Sequence, residues 1–284
     1  INMATFGTGD YQYEVVEGWG MISQLGLVSG VACDSNDRVY VYNRSPQPAM
    51  LVFEADGTFV TEWGKDIFKK PHGIWISPDD EIYTTDTIDH TVRKFSLDGE
   101  LLQTFGTVDQ PGPPGGPFNE PTRAVLSTSG EMYVSDGYGQ SRVHRMTADG
   151  EVIVSWGAPG TGPGEFNLPH DVTVDHNDRV YILDRGNLRC QIFNNNGEYL
   201  TEWTDLRTPN DLFIDSDNII HIAEGGQRIS IMTLDGEVIG RWGEKGDAPG
   251  QFSDSPHGIW IDSNGDIYVS EVIADRRFQK FARI

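Results

Sequence analysis

Apolar and polar residues alternate with a period of two along most of the chain, in short runs such as Gly73-Ile74-Trp75-Ile76 and Glu81-Ile82-Tyr83-Thr84. That period sends successive side chains to opposite faces of an extended backbone, so each run predicts a strand with one buried face. Asp-Gly, Asn-Gly and Asn-Asp pairs separate the runs and supply the backbone conformations that tight turns require.

The runs form a repeat. Six copies of one pattern start at Gly30 (GVACDSNDRVYVYNR), Pro71 (PHGIWISPDDEIYTTDT), Pro121 (PTRAVLSTSGEMYVSDG), Pro169 (PHDVTVDHNDRVYILDR), Pro209 (PNDLFIDSDNIIHIAEG) and Pro256 (PHGIWIDSNGDIYVSEV). Five of them continue into a turn and a strand with an aromatic near its end, as in EADGTFVTEWG from Glu54 and TLDGEVIGRWG from Thr233, whereas the sixth stops at Phe-Ala-Arg-Ile. Each unit therefore holds four short strands in roughly 40 to 50 residues, which predicts an all-β chain folded as a six-bladed β-propeller. The segment Tyr11 to Gly20 (YQYEVVEGWG) carries the same Trp-Gly ending and is expected to supply the strand missing from the last blade, closing the ring.

The repeat runs without a linker or low-complexity break, so residues 1–284 are expected to form one domain. The Pro- and Gly-rich stretches 110–117 and 158–164 predict longer loops between blades. Net charge is −22, which argues against nucleic acid and anionic membrane as partners. No apolar run is long enough to span a bilayer, so a soluble protein is expected. No signal-peptide pattern stands at the start, and the chain opens at Ile1 without an initiator methionine, which leaves the compartment open. Cys33 and Cys190 fall on distant blades, too far apart for a disulfide, and are expected to be small buried residues.

Three Pro-His pairs change the picture. His72, His170 and His257 occupy the same position of units two, four and six, each at the start of a first strand, while units three and five carry Thr122 and Asn210 there. On alternate blades, three imidazoles would meet at the ring axis. Three neutral nitrogen ligands suit Zn²⁺ or a similar divalent ion and leave a fourth position for water or substrate. The competing reading is a histidine merely tolerated after proline, which the alternate spacing disfavours. Antiparallel neighbours place the ends of the second strands on the same face: Asn43-Arg44, Asp86-Thr87, Asp136-Gly137-Tyr138, Asp184-Arg185, Glu224-Gly225 and Glu271-Val272. His90, His144, His176 and His221 have no counterparts in other units and are expected to be satisfied or solvent-facing. Trp63, Trp156, Trp203, Trp242, Trp75 and Trp260 are expected to pack between blades.

The units resemble NHL repeats, and the stretches PHGIWI, VSDGYGQSRV, LPHDVTV, ILDRGNLRCQIF and SPHGIWI resemble the catalytic domain of the peptidyl-α-hydroxyglycine α-amidating lyases. The resemblance covers the full ring and implies that His72, His170 and His257 bind zinc, that Tyr138 is the catalytic tyrosine and that Arg44 and Arg185 are the active-site arginines. Gly139 stands where that family has a disulfide cysteine, Gly258 where it has a calcium-binding aspartate and Ser255 where it has a methionine, which puts the family's disulfides and structural Ca²⁺ in doubt here. The implied reaction is cleavage of an α-hydroxyglycine-type carbinolamide to an amide and glyoxylate, with Tyr138 as base and the arginines holding the carboxylate of an anionic small-molecule or peptide-derived substrate. Two other readings stay open: metal-dependent hydrolysis of an ester, lactone or amide at the same histidines, and a non-enzymatic propeller that binds a peptide or protein. Neither the acyl group nor the oligomeric state is written in the sequence.

Overall fold

The computed structural model describes residues 4–47, 49–274 and 276–284. Six antiparallel sheets carry the architecture, and the six-bladed β-propeller class expected from the repeat is the one observed. Among the described residues, the sole helical element is a single 3₁₀ turn, Arg185–Asn187, and no helix is long and apolar enough to cross a membrane. The chain divides into two compact units, one of residues 67–209 and the other of residues 4–66 with 210–284.

The unit of residues 67–209 holds three blades. Blade two runs through Pro71–Ile76, Glu81–Asp86, Thr91–Ser96 and Leu101–Phe105, and blade three through Arg123–Leu126, Met132–Asp136, Arg142–Met146 and Val152–Trp156. Blade four runs through Pro169–Val174, Val180–Asp184, Arg189–Phe193 and Tyr199–Trp203. The seams between blades are apolar. Tyr83, Val92, Phe105 and Phe118 pack against Ala124, Met132, Val134 and Met146, and Val125, Tyr133, Val143 and Trp156 against Val172, Ile182 and Phe193. Alternation within each strand thus feeds two seams, one per face, which is why the period-two pattern is so regular. Trp75 is packed against both seams and Trp156 lies within the second, as packing residues do.

The other unit holds blade one (Leu27–Cys33, Val39–Ser45, Met50–Phe53, Phe59–Trp63), blade five (Pro209–Ile214, Ile219–Glu224, Arg228–Thr233, Val238–Trp242) and blade six (Pro256–Ile261, Ile267–Glu271, Phe278–Arg283). As expected, the N-terminal strand Tyr11–Val16 completes blade six, pairing antiparallel with Phe278–Arg283 so that Tyr13 faces Arg283 and Val16 faces Lys280. The pairing stops at Val16, earlier than the repeat suggests, and Trp19 lies in the turn beyond, where its indole N–H donates to the Ala55 carbonyl at 3.0 Å. A fifth strand, Thr5–Thr8, folds back onto Tyr11–Val16 and was not evident from the repeat.

In both units Asp-led turns connect first to second strands. The Oδ1 atoms of Asp34, Asp175, Asp215 and Asp262 each accept amide hydrogens from two and four residues on, at 2.8–3.0 Å. These side chains do the work of backbone acceptors and fix the registers of the strands that follow.

Candidate metal centre

His72 opens the first strand of blade two and is buried. Its Nδ1 lies 2.7 Å from the Thr122 carbonyl on blade three. A carbonyl only accepts, so Nδ1 carries the proton, and in the neutral ring Nε2 presents a lone pair. The approach depends on Gly73: a Cβ built there would sit 2.4 Å from the same carbonyl. Thr85 locks the arrangement, its hydroxyl donating to the Thr122 carbonyl at 2.9 Å and accepting the Gly73 amide at 2.8 Å.

His170, at the start of blade four, brings its Nε2 to 3.2 Å from that of His72. The Tyr138 hydroxyl completes a near-equilateral triangle, 3.2 Å from His72 Nε2 and 3.1 Å from His170 Nε2. Two ligands of a tetrahedral zinc ion with bonds of about 2.0–2.1 Å lie about 3.3–3.4 Å apart, so the separation and the lone-pair chemistry of these nitrogens fit such an ion. Arg185, the first residue of the 3₁₀ turn, brings a guanidinium nitrogen to 3.5 Å from the Tyr138 hydroxyl. Among the described residues no carboxylate pairs with Arg185. The structure adds Lys70, whose ammonium stands 5.9 Å from the Tyr138 ring centroid. Nothing in the sequence singled it out among the 21 Lys and Arg residues.

The loop that carries Tyr138 is held from below. Asp136 is fully buried and accepts the Asn119 amide at 2.9 Å, the Gln140 side-chain amide at 2.7 Å and His144 Nε2 at 3.1 Å. Gly137 leaves room for the backbone of blade four, since a Cβ there would fall 2.0 Å from the Pro169 carbonyl. Gly139 is equally confined: a Cβ at that position would fall 2.6 Å from the Asn119 backbone carbonyl. The cysteine found there in the resembling lyases has no space in this chain.

In the other unit His257 opens the first strand of blade six and repeats the local design of His72. It is buried, and its Nδ1 lies 2.7 Å from the Ser29 carbonyl. Gly258 again admits the neighbouring strand, a Cβ there lying 2.7 Å from Ser270 Oγ and 2.8 Å from Gly30 Cα. An aspartate at Gly258 would need both to move. Arg44 lies at the end of blade one's second strand, partly buried.

The remaining histidines are satisfied or exposed as expected. His144 Nδ1 bonds Ser155 Oγ at 2.7 Å, His221 Nε2 bonds Asp215 at 2.8 Å, and His90 Nδ1 accepts the Glu120 amide at 3.1 Å, while His176 sits in an exposed turn. Cys33 and Cys190 are buried free thiols whose pKa values burial pushes up. The sequence reading missed the carbonyls of Thr122 and Ser29. The one available signal was the glycine that follows histidine in both PHG copies.

A family profile described as the NHL repeat matches residues 166–193. The Mus musculus protein named NHL repeat-containing protein 3 is 36% identical over 207 residues, which is 67% of this chain and 59% of that protein. The Drosophila melanogaster protein named peptidyl-alpha-hydroxyglycine alpha-amidating lyase 1 is 33% identical over 162 residues, 52% of this chain and 30% of the relative. Among solved structures, one described as streptogramin B lyase superposes with a TM-score of 0.68 at 13% identity, covering 97% of each chain, a likeness of fold alone. The chain spans less than two thirds of either curated relative. It is a six-bladed β-propeller in which residues 166–193 match the NHL repeat, with relatives that include proteins named amidating lyases.

Proposed function

We propose that the chain is a zinc-dependent C–N lyase that cleaves an α-hydroxyglycine-type carbinolamide, R-CO-NH-CH(OH)-COO⁻, to the amide R-CO-NH₂ and glyoxylate. The observation that carries the reading is the triangle of His72 Nε2, His170 Nε2 and Tyr138 Oη with Arg185 beside it. His257 shares the Pro-His register of the sequence and, within its own unit, the burial and Nδ1-to-carbonyl bond of His72, and on that register it would be the third histidine ligand of a divalent ion. Such an ion, when bound, supplies a Lewis acid for a substrate oxygen.

The protein's own groups would do the rest. Tyr138 Oη, as phenolate, takes the hydroxyl proton. The O–H electrons become the glyoxylate carbonyl, the C–N bond breaks, and the nitrogen leaves as the amide after taking a proton back from Tyr138. Arg185, 3.5 Å from the phenol oxygen, would stabilise negative charge on it, and the Lys70 ammonium near the ring would add to that field. Arg185, and Arg44 by the resemblance in sequence, would supply planar forks for the substrate carboxylate, in a chain whose net charge of −22 otherwise repels anions. The fly relative's name supports the lyase over other reactions, and the mouse relative is named for its repeats alone.

Two measurements test this. Metal content of the purified protein is expected to reach one divalent ion per chain. A protein that neither carries nor takes up such an ion would refute both lyase and hydrolase and leave a binding propeller. Glyoxylate release from an N-acyl-α-hydroxyglycine is expected well above the spontaneous rate. Metal without glyoxylate would refute the lyase on that substrate and turn the assay to esters, lactones and amides.

A further inference from the structure

Arginines at one register of the blades are neutralised by an acid directly opposite, with one exception. Arg189 faces Asp184 and bonds it at 2.9 Å, and Arg228 faces Glu224 and bonds it at 2.7 Å. On blade three Arg142 faces Asp136 in the same register, yet the carboxylate takes its side-chain bonds from His144 and Gln140. His144 stands where blade four has Gln191 and blade five has Ser230. With its acid claimed by another partner, the Arg142 guanidinium turns to the carbonyls of Gly157, at 2.6 Å, and Ser155, at 3.4 Å, while its Nε is buried without a partner. No carboxylate pairs with it among the described residues.

Arg142 lines a groove of about 630 Å³ that also has Tyr138 in its wall, together with Gly115, Gly139, Gly157 and Leu168. That volume is ample for the organic part of a small substrate. Among the described residues that line it, Arg142 is the one that carries a charge, and none is an acid. A cation without its usual acidic partner, in a groove that shares Tyr138 as a wall in a strongly acidic chain, suits an anion.

We propose that Arg142 determines specificity by binding a carboxylate borne on the acyl part of the substrate, so that the preferred substrates are diacids with one acid at the glycine end and a second in this groove. The inference rests on the reading of Tyr138 as part of the reaction centre. Freeing of Arg142 by the His144–Asp136 pair is the structural device that creates the subsite.

The test uses inert probes. N-succinyl-, N-glutaryl- and N-adipoylglycine lack the hydroxyl and are not cleaved, and each is compared by calorimetry with its ω-carboxamide. The wild-type protein is expected to bind at least one diacid about 10–100-fold more tightly than its carboxamide, the range for a hydrogen bond to a charged group. Arg142→Gln is expected to bring that ratio to about one. A ratio near one in the wild type, or an undiminished ratio in the variant, overturns the proposal. Should Arg142→Gln fail to fold, judged by its circular dichroism and melting, Arg142→Lys keeps the charge without the fork, and its ratio is expected to fall at least about threefold. An undiminished ratio in Arg142→Lys overturns the proposal in the same way. A diacid preference without glyoxylate release would remove the lyase and keep the subsite, and glyoxylate release without the preference would do the reverse.

Discussion

Replacing Tyr138 by Phe removes one oxygen and leaves the ring. That oxygen touches His72 Nε2, His170 Nε2 and an Arg185 nitrogen at 3.2, 3.1 and 3.5 Å. The residue is 37% exposed, so water can replace part of what is lost. The stability cost should lie at the low end of a net hydrogen bond, about 0.5 kcal/mol, and the melting temperature should move by no more than about 2 °C. Metal content should stay at the wild-type level, because all three histidine nitrogens remain. Turnover should fall about 10²–10⁴-fold, the usual contribution of a positioned acid–base group, which corresponds to about 3–5 kcal/mol of barrier. KM should change little, since Arg185 is untouched. The assay is glyoxylate release at saturating substrate, run beside metal analysis of the same preparation. Wild-type turnover in Tyr138→Phe would refute the role of the phenol. Joint loss of metal and turnover would refute it too, by making Tyr138 a ligand or a support of the ligands.

His170→Ala should lose metal and turnover together, and retention of a full equivalent of metal would exclude it from the ligand set. Thr85→Val leaves the Gly73 amide unsatisfied and releases the Thr122 carbonyl, so it should cost about 1–3 kcal/mol and weaken metal binding about 10–100-fold, read by chemical denaturation and metal competition. Burial pushes the Asp215 carboxyl up, but bonds from His221 and the amides of Ile219 and Asp217 outweigh it and hold the group below 3.8. Its stabilising effect is therefore present above the unfolded value and lost as pH falls through the lower folded one. Asp215→Asn should be less stable than wild type at pH 7, the gap in urea midpoint closing as the pH falls below about 4. Cys33 and Cys190 should resist a thiol-specific disulfide reagent in the native protein and react on unfolding, and fast native labelling would contradict their burial.

The blades were legible because a buried sheet between two seams leaves a period-two trace, and the strand closing blade six was legible because one unit lacked its fourth strand. The Pro-His register located His72, His170 and His257 because strand starts repeat with the blade. What orients His72 and His257 was not legible: the acceptors are backbone carbonyls of Thr122 and Ser29, and a carbonyl has no residue identity. The hairpin strand Thr5–Thr8 lies outside the repeat and left no periodic mark. The freeing of Arg142 was hidden for another reason. Arg142 and its acid sit in the common register, and only the cross-strand geometry shows that His144 has taken the acid.

The clasp in blade six also sets what rearrangements of the chain the fold tolerates. Thr5 lies across from Glu14, and Glu14 across from Ala282, so the two ends of the paired region are two strand spacings apart, about 10 Å. About four extended residues bridge that gap. A circular permutant joined there and opened in the loop 110–117 would keep every blade's hydrogen bonds while turning a pairing between distant parts of the sequence into a local one. Blade six, whose strands are now the most separated in the chain, would then fold from neighbours.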